Sequence, residues 1–253
     1  MNKNENIIEV SGVTAGYGNK VVLKDIDFSV KCGEIFVIMG GSGCGKSTLL
    51  KHLIGLYRPF AGNISIFGQD IVTVSAAERK KMMQRFGVTY QDGALFGSMT
   101  LAENIALPLE EYTDNSPAEI AQIVSEKLNQ VELGKFGDYF PAEISGGMRK
   151  RAGLARAMAL SPALLFFDEP SAGLDPISSA DLDSLMLALQ RKMNTTLVIV
   201  SHELDSIYTI ADRVIILNAA EQGIVAVGDP RELRENSHDS WVRQLLTRKS
   251  MQR

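Results

Sequence analysis

Short apolar runs rich in β-branched residues alternate with stretches of helical period along most of this chain. The runs predict strands at residues 7–10, 35–39, 88–90, 164–167, 196–200 and 214–217. Helical patterns lie between them. In residues 178–192, Leu182, Leu185, Met186 and Leu189 fall at i, i+3, i+4 and i+7, the stripe of a helix with one buried face. Strand, helix and strand in this rhythm predict an α/β fold on a mostly parallel sheet.

Residues 100–160 break the rhythm, reading as helix after helix with no strand. Ser116-Pro117-Ala118-Glu119 is a capping box with Pro in the first helical position. Ile120, Ile123, Val124 and Leu128 then form one apolar face, and Ser145 opens a further helix reaching toward Leu160. The stretch is expected to be a helical subdomain set into the α/β core. A single domain over 1–253 is expected, with core 1–91 and 161–228, helical subdomain 92–160 and helical tail 229–253. In the tail, Trp241, Leu245 and Leu246 mark one face, read as packing on the parent domain or else on another subunit.

Of 253 residues, 45% are hydrophobic; 26 Lys and Arg against 30 Asp and Glu leave a net charge of −4. That balance excludes general disorder and argues against a basic nucleic-acid-binding surface. The longest apolar runs, such as 163–167, and shorter ones such as 197–200 fall far short of the ~18–20 residues a bilayer requires. The first six residues carry no apolar stretch of signal-peptide type. Cys32 and Cys44 make no disulfide framework, so free thiols in a cytoplasmic setting are expected.

The strongest chemical signal is Gly40-Gly41-Ser42-Gly43-Cys44-Gly45-Lys46-Ser47. It matches G-x-x-x-x-G-K-[ST] between a predicted strand and a predicted helix over 47–56, the context such a phosphate loop requires. The glycines let main-chain N–H groups converge on phosphate oxygens at a helix N-terminus. Lys46 can reach the β and γ phosphates, Ser47 can ligate Mg²⁺, and Thr48 beside it joins the phosphate-binding set. Cys44 reads either as small filler or as a thiol that would make nucleotide binding redox-sensitive.

A second signal is the apolar run Leu164-Leu165-Phe166-Phe167 ending in Asp168-Glu169. Ligands of open parallel sheets bind at the carboxyl ends of strands. Asp168 is placed to hold Mg²⁺, directly or through water. Glu169, one residue on, points elsewhere and can act as general base for an attacking water.

With both elements in hand, the chain resembles an ABC transporter ATPase over most of its length, with five further motifs in family order. Tyr17 in Ala15-Gly16-Tyr17-Gly18 resembles the aromatic that stacks on adenine, and Gln91 the Q-loop glutamine that touches Mg²⁺ and the attacking water. Ser145-Gly146-Gly147-Met148 resembles the signature, Ser171-Ala172-Gly173-Leu174-Asp175 the D-loop, and His202 the switch histidine. The resemblance implies a P-loop NTPase fold with a RecA-like core and inserted helical subdomain, ATP and Mg²⁺ as cofactors, and Glu169, His202 and Gln91 as catalytic residues. It also implies that Ser145, Gly146, Gly147 and Asp175 meet nucleotide held by a second, head-to-tail copy. His52 and His238 have no such context and read as structural. Arg149, Lys150 and Arg151 read most simply as a solvated basic face, with contact to phosphate or partner as the other reading.

Met148 stands where most of the family has Gln. Ser145 to Ala152, with Gln91-Asp92-Gly93-Ala94-Leu95-Phe96 and Asp175-Pro176-Ile177, resembles the ATPase of Mla/Mce-type lipid transporters. That resemblance implies phospholipid transport in a bacterial envelope and peripheral placement on the cytoplasmic side of the inner membrane. The implied partners are an integral membrane permease, an MCE-domain protein and a small STAS-like protein, with no nucleic acid. Ala94, Leu95 and Phe96 read either as core or as permease contact. The alternative function is the ATPase of an importer of small solutes such as amino acids. A nucleic-acid ABC ATPase is disfavoured by the lack of long coiled coils or a second nucleotide domain. A module without turnover is disfavoured by Glu169 and His202.

Overall fold

The computed structural model describes residues 5–247. In chain order the elements are β1 (Asn6–Tyr17), β2 (Lys20–Lys31), β3 (Ile35–Gly40), α1 (Lys46–Leu53), β4 (Ala61–Ile66), β5 (Gln69–Asp70), α2 (Ala76–Met83) and β6 (Phe86–Thr89). There follow α3 (Leu101–Tyr112), α4 (Pro117–Gln130), a 3₁₀ turn (Pro141–Glu143), α5 (Gly146–Ala157), β7 (Leu164–Asp168) and α6 (Pro176–Met193). The chain closes with β8 (Thr196–Val200), α7 (Leu204–Ile210), β9 (Arg213–Asn218), β10 (Gly223–Gly228), α8 (Pro230–Asn236) and α9 (Ser240–Thr247). Two compact units emerge, residues 1–79 with 196–253, and residues 80–195.

The first unit holds two sheets. In one, β3 lies between β8 and β9 and runs parallel to both, with β10 antiparallel on the outside of β9. Every residue of β3 and of β8 is buried, as expected for strands covered on both faces. The other sheet, β2-β1-β4-β5, is antiparallel. Arg213 of β9 joins the two. Its guanidinium pairs with both carboxylate oxygens of Glu34, at 2.7 and 2.9 Å, and donates to Ser29 O in β2 at 2.6 Å.

The antiparallel sheet was not predicted. β1 extends past residue 10 to Tyr17, but its pairing slips at bulges between Val10 and Val13 and again between Ala15 and Gly16. Each bulge reverses which side chains face inward, so the period-two signal dies. β2 interleaves charges irregularly, and β10 is an edge strand with no fully buried residue. The helix expected over 47–56 stops at Leu53, because Gly55 turns left-handed at φ +72.

The second unit pairs β6 with β7 in parallel and carries α3 to α6. Ser116 caps α4 with Glu119 completing the box, and Ser145 caps α5, both as the sequence indicates. The helix opened by Ser145 ends at Ala157, short of Leu160.

The tail forms α8 and α9 and packs on the first unit, where Tyr208 of α7 donates to Leu246 O at 2.6 Å. The expected face needs correcting: Val242 and Leu246 are the buried pair, while Trp241 and Leu245 are half-buried. The end of the predicted tail, 248–253, lies outside the described residues.

Asn104, fully buried on α3, fixes the loop that leads from residue 91 into that helix. Its Oδ1 accepts from Phe96 N at 2.7 Å, and its Nδ2 lies 3.1, 3.1 and 2.9 Å from the carbonyl oxygens of Phe96, Met99 and Thr100. Asn104→Ala removes all four side-chain contacts, while Phe96 O keeps Met99 N at 3.2 Å and Thr100 O keeps the main-chain N–H of residue 104 at 3.0 Å. We expect a loss of about 3 kcal/mol, read as a lower urea midpoint at unchanged slope. A midpoint within error of the parent protein's would show that the loop does not depend on this residue.

Candidate active site

In the first unit, β3 delivers the chain into loop 40–47. Gly40 has φ +151, and a Cβ there would stand 2.4 Å from Leu217 O and 2.6 Å from Cys44 Sγ. Gly45 has φ +104 and abuts Val22 Cγ1, 2.9 Å from where its Cβ would be. Only glycine allows the loop to lie so tightly against its own unit. The opposite face is open, since a Cβ at Gly41 or Gly43 would meet nothing within 4 Å. α1 then begins with Gly45 as N-cap and no side-chain cap, which leaves its first N–H groups for an anion. Lys46 Nζ donates to Gly40 O at 3.0 Å and Gly41 O at 3.1 Å, so the ammonium is held across the loop. Ser47 and Thr48 are half-buried at the helix start and Ser42 is exposed. An open loop face, an uncapped helix start and a tethered cation fit a polyphosphate.

Cys44 is buried, and burial raises its thiol pKa against the opposing pull of Lys46. A buried, protonated thiol is inert filler, and the redox-sensor reading is dropped.

Tyr17 sits at the tip of the β1–β2 hairpin, opposite Lys20, with half its surface exposed. His52 of α1 is fully buried, with Nε2 3.1 Å from Gly16 N and 3.0 Å from Gly16 O. The histidine set aside as structural thus ties the expected adenine-stacking residue to the phosphate-loop helix. Its signal in the sequence was its place on that helix. His202 follows β8. The register Ile38↔Val200 sets the ends of β3 and β8 side by side, and Ser201 N donates to Ile38 O at 3.2 Å. The His202 side chain is largely exposed, 3.5 Å from Glu203. The unit therefore brings together the phosphate loop, Tyr17 and His202.

In the second unit, the register Thr89↔Phe167 brings Gln91 and the pair Asp168, Glu169 to the same end of β6 and β7. Gln91 is exposed, and Asp168 and Glu169 are half-buried. Burial, with Asp168 as the next cause, raises the Tyr90 phenol. Glu169 adopts φ +51, a conformation few non-glycine residues take. Ser145 is exposed, its Oγ accepting from Met148 N at 3.2 Å, and Gly146 and Gly147 follow on the first turn of α5. Asp175 is exposed and caps α6, accepting from Ile177 N and Ser178 N at 3.1 Å each. The Ser178 hydroxyl bond, 2.6 Å, leads in lowering its pKa.

The expected solvated face of Arg149, Lys150 and Arg151 is a misreading. Arg149 donates to Ile144 O at 2.8 Å and Arg151 pairs with Glu132 at 2.5 Å. Lys150 is half-buried, with its ammonium against the turn that follows β7. Periodicity marks these residues as polar but cannot show that carbonyl oxygens await them.

The ABC transporter family matches residues 23–172. Among curated proteins, the chain is 45% identical over 239 residues to the "probable ribonucleotide transport ATP-binding protein mkl" of Mycobacterium tuberculosis, covering 94% of this chain and 66% of that one. It is 41% identical to the "intermembrane phospholipid transport system ATP-binding protein MlaF" of Haemophilus influenzae, covering 96% and 91%. Among solved structures it is similar to cbiO1 of Clostridium perfringens, part of the ABC transporter complex cbiONQ, with TM-score 0.82, 26% identity and 90% of each chain. The ATP-binding cassette MJ0796, solved as a dimer in a post-hydrolysis state with ADP and Pi, matches with TM-score 0.79 and 27% identity over 88% of this chain and 98% of that one. The fold and the phosphate loop define a P-loop ATPase of α/β class. The chain belongs to the ABC transporter family, as one of its nucleotide-binding ATPases.

Burial lowers the His52 pKa below its usual 6.5, so the folded imidazole is neutral. The unfolded chain takes up a proton here before the folded one does, and stability at this site is lost as pH falls below about 6.5. Urea midpoints should therefore drop more steeply between pH 7.5 and pH 5.5 for the parent protein than for His52→Gln, where the window is set by the usual histidine pKa. Equal slopes would sink this account of His52.

Proposed function

We propose that this chain is the ATP-hydrolysing motor of a transporter that moves phospholipids in a bacterial envelope. It works as a head-to-tail pair on the cytoplasmic side of the inner membrane, bound to an integral permease. The observation that carries the reading is the 41% identity to MlaF across 91% of that protein's length. Among the described residues no helix is long and apolar enough to cross a membrane, in keeping with a separate permease chain. A second reading, a nucleotide-class solute as cargo, is favoured by the 45% identity to proteins named for ribonucleotide transport.

In this mechanism adenine stacks on Tyr17, and loop 40–47 with Thr48 takes the phosphates. Lys46 exchanges the carbonyls of Gly40 and Gly41 for phosphate oxygens, a charge-assisted gain. Ser47, Gln91 and Asp168 are the residues that would hold Mg²⁺, which would neutralise phosphate charge. A hydroxyl, an amide and a carboxylate are the oxygen donors that a hard cation takes. Ser145, Gly146, Gly147 and Asp175 of the second copy close over the nucleotide; Ser145 and Asp175 are exposed and the two glycines half-buried. Glu169 accepts the proton of the attacking water and His202 steadies the phosphate it attacks.

The permease docks in the groove of about 550 Å³ lined by Ala94, Phe96, Leu107, Pro108 and Tyr112, where half the surface of Phe96 is exposed. Gln91 and the loop behind it carry closure to that groove. An MCE-domain protein and a small STAS-like protein complete the assembly.

Glu169→Gln should keep ATP affinity, cut steady-state hydrolysis at least about 100-fold, and trap an ATP-dependent dimer on a sizing column. Hydrolysis at the parent rate would remove Glu169 from its role. The cargo is read by purifying tagged Glu169→Gln protein from its native membranes in mild detergent and identifying proteins and lipids by mass spectrometry. A permease with an MCE-domain protein and enriched phospholipid is the expected result. A permease with a solute-binding protein would transfer the cargo to small solutes.

A further inference from the structure

We propose that Lys150, on the signature helix, is a positioning residue that holds the main chain of the Glu169 turn, and through it aims the Glu169 carboxylate. The proposal rests on the reading of Glu169 as the general base. The ammonium stands 2.7 Å from Pro170 O, 2.6 Å from Ala172 O and 3.5 Å from Glu169 O. An ammonium has three protons on a tetrahedral nitrogen, and three carbonyls of one turn converge on it. The turn itself is unusual. Glu169 stands at φ +51 and Gly173 at φ +75, and Ala172 N donates back to Glu169 O at 3.2 Å.

A left-handed non-glycine residue persists only where its surroundings fix it. Here the cation gathers the carbonyls that this winding turns inward. Burial lowers the Lys150 pKa, and the charges of Asp92 and Glu169 raise it again, so two acids of expected catalytic segments lie within its field. Lys150 thus joins, within one unit, the signature helix to the turn of the base. Arginine is no substitute, because a planar fork cannot cap a tripod of carbonyls.

The test is steady-state ATP hydrolysis by Lys150→Met, Lys150→Arg and Lys150→Met combined with Glu169→Gln, with ATP affinity measured by a fluorescent ATP analogue. Lys150→Met should lower kcat at least about tenfold, with KM for ATP changed less than about twofold, the split expected of a group that acts only on the reacting geometry. Lys150→Arg keeps charge and stem, preserves the fold, and should share most of the loss. If Lys150 acts through Glu169, the double variant is no slower than Glu169→Gln alone. Parent kcat in Lys150→Arg, or a further loss in the double variant, would overturn the proposal, and the arginine protein decides it even if Lys150→Met fails to fold. Parent-rate hydrolysis by Glu169→Gln would instead bring down the base reading, and this proposal with it. An active Lys150→Met beside an inactive Glu169→Gln would bring down the positioning role alone.

Discussion

Main-chain carbonyls in tight turns must find donors, and in the second unit one helix supplies them to three expected functional segments. From α5, Arg149 donates to Ile144 O ahead of the signature. Lys150 donates to the turn after β7, and Arg156 donates to Ala94 O at 2.7 Å in the loop after Gln91. The helix also meets that loop backbone to backbone: a Cβ at Gly153 would lie 2.8 Å from Gly93 Cα. Carbonyls withdrawn from water cost ~1–3 kcal/mol each when left without a partner, which ties Ile144 and the turn after β7 to α5, whereas the bond to Ala94 O is exposed. Within one unit, α5 thus touches the residue ahead of Ser145, the turn after β7 and the loop after Gln91.

The first unit meets the same requirement by different means. Two glycines press the phosphate loop onto β9 and β2, and its own Lys46 answers the carbonyls of Gly40 and Gly41. That arrangement keeps the cation paired before nucleotide arrives, and the exchange for phosphate costs no desolvation of a bare charge. The β1–β2 hairpin that carries Tyr17 is tied in by His52, whose burial keeps it neutral and therefore able to accept or donate at Gly16. A charged imidazole there would have lost its acceptor.

The parallel strands and the two carboxylates were legible because they obey short rules: apolar runs, a phosphate loop between strand and helix, acids at a strand's carboxyl end. Ser116 and Ser145 announced their helices by capping chemistry. The antiparallel sheet was hidden because bulges in β1 break the alternation by which strands are read. The tail face was misjudged by one residue: the spacing of Trp241, Leu245 and Leu246 is compatible with two faces, and only packing selects Val242 with Leu246. The contacts of Lys150 and Arg156 were invisible in the sequence for a deeper reason. Their partners are carbonyl oxygens, which every residue carries and no sequence pattern marks.

Met148 illustrates the converse. It departs from the family's glutamine at a motif position, yet the bond that shapes the start of α5 runs from its main-chain N–H to Ser145 Oγ. That bond depends on Ser145 and on the backbone, and a thioether leaves it intact. The signature's geometry in this chain is therefore a property of the cap and of two glycines that keep the first turn bare. Two residues further on, the same helix binds the turn after β7, where Lys150 donates to Pro170 O and Ala172 O.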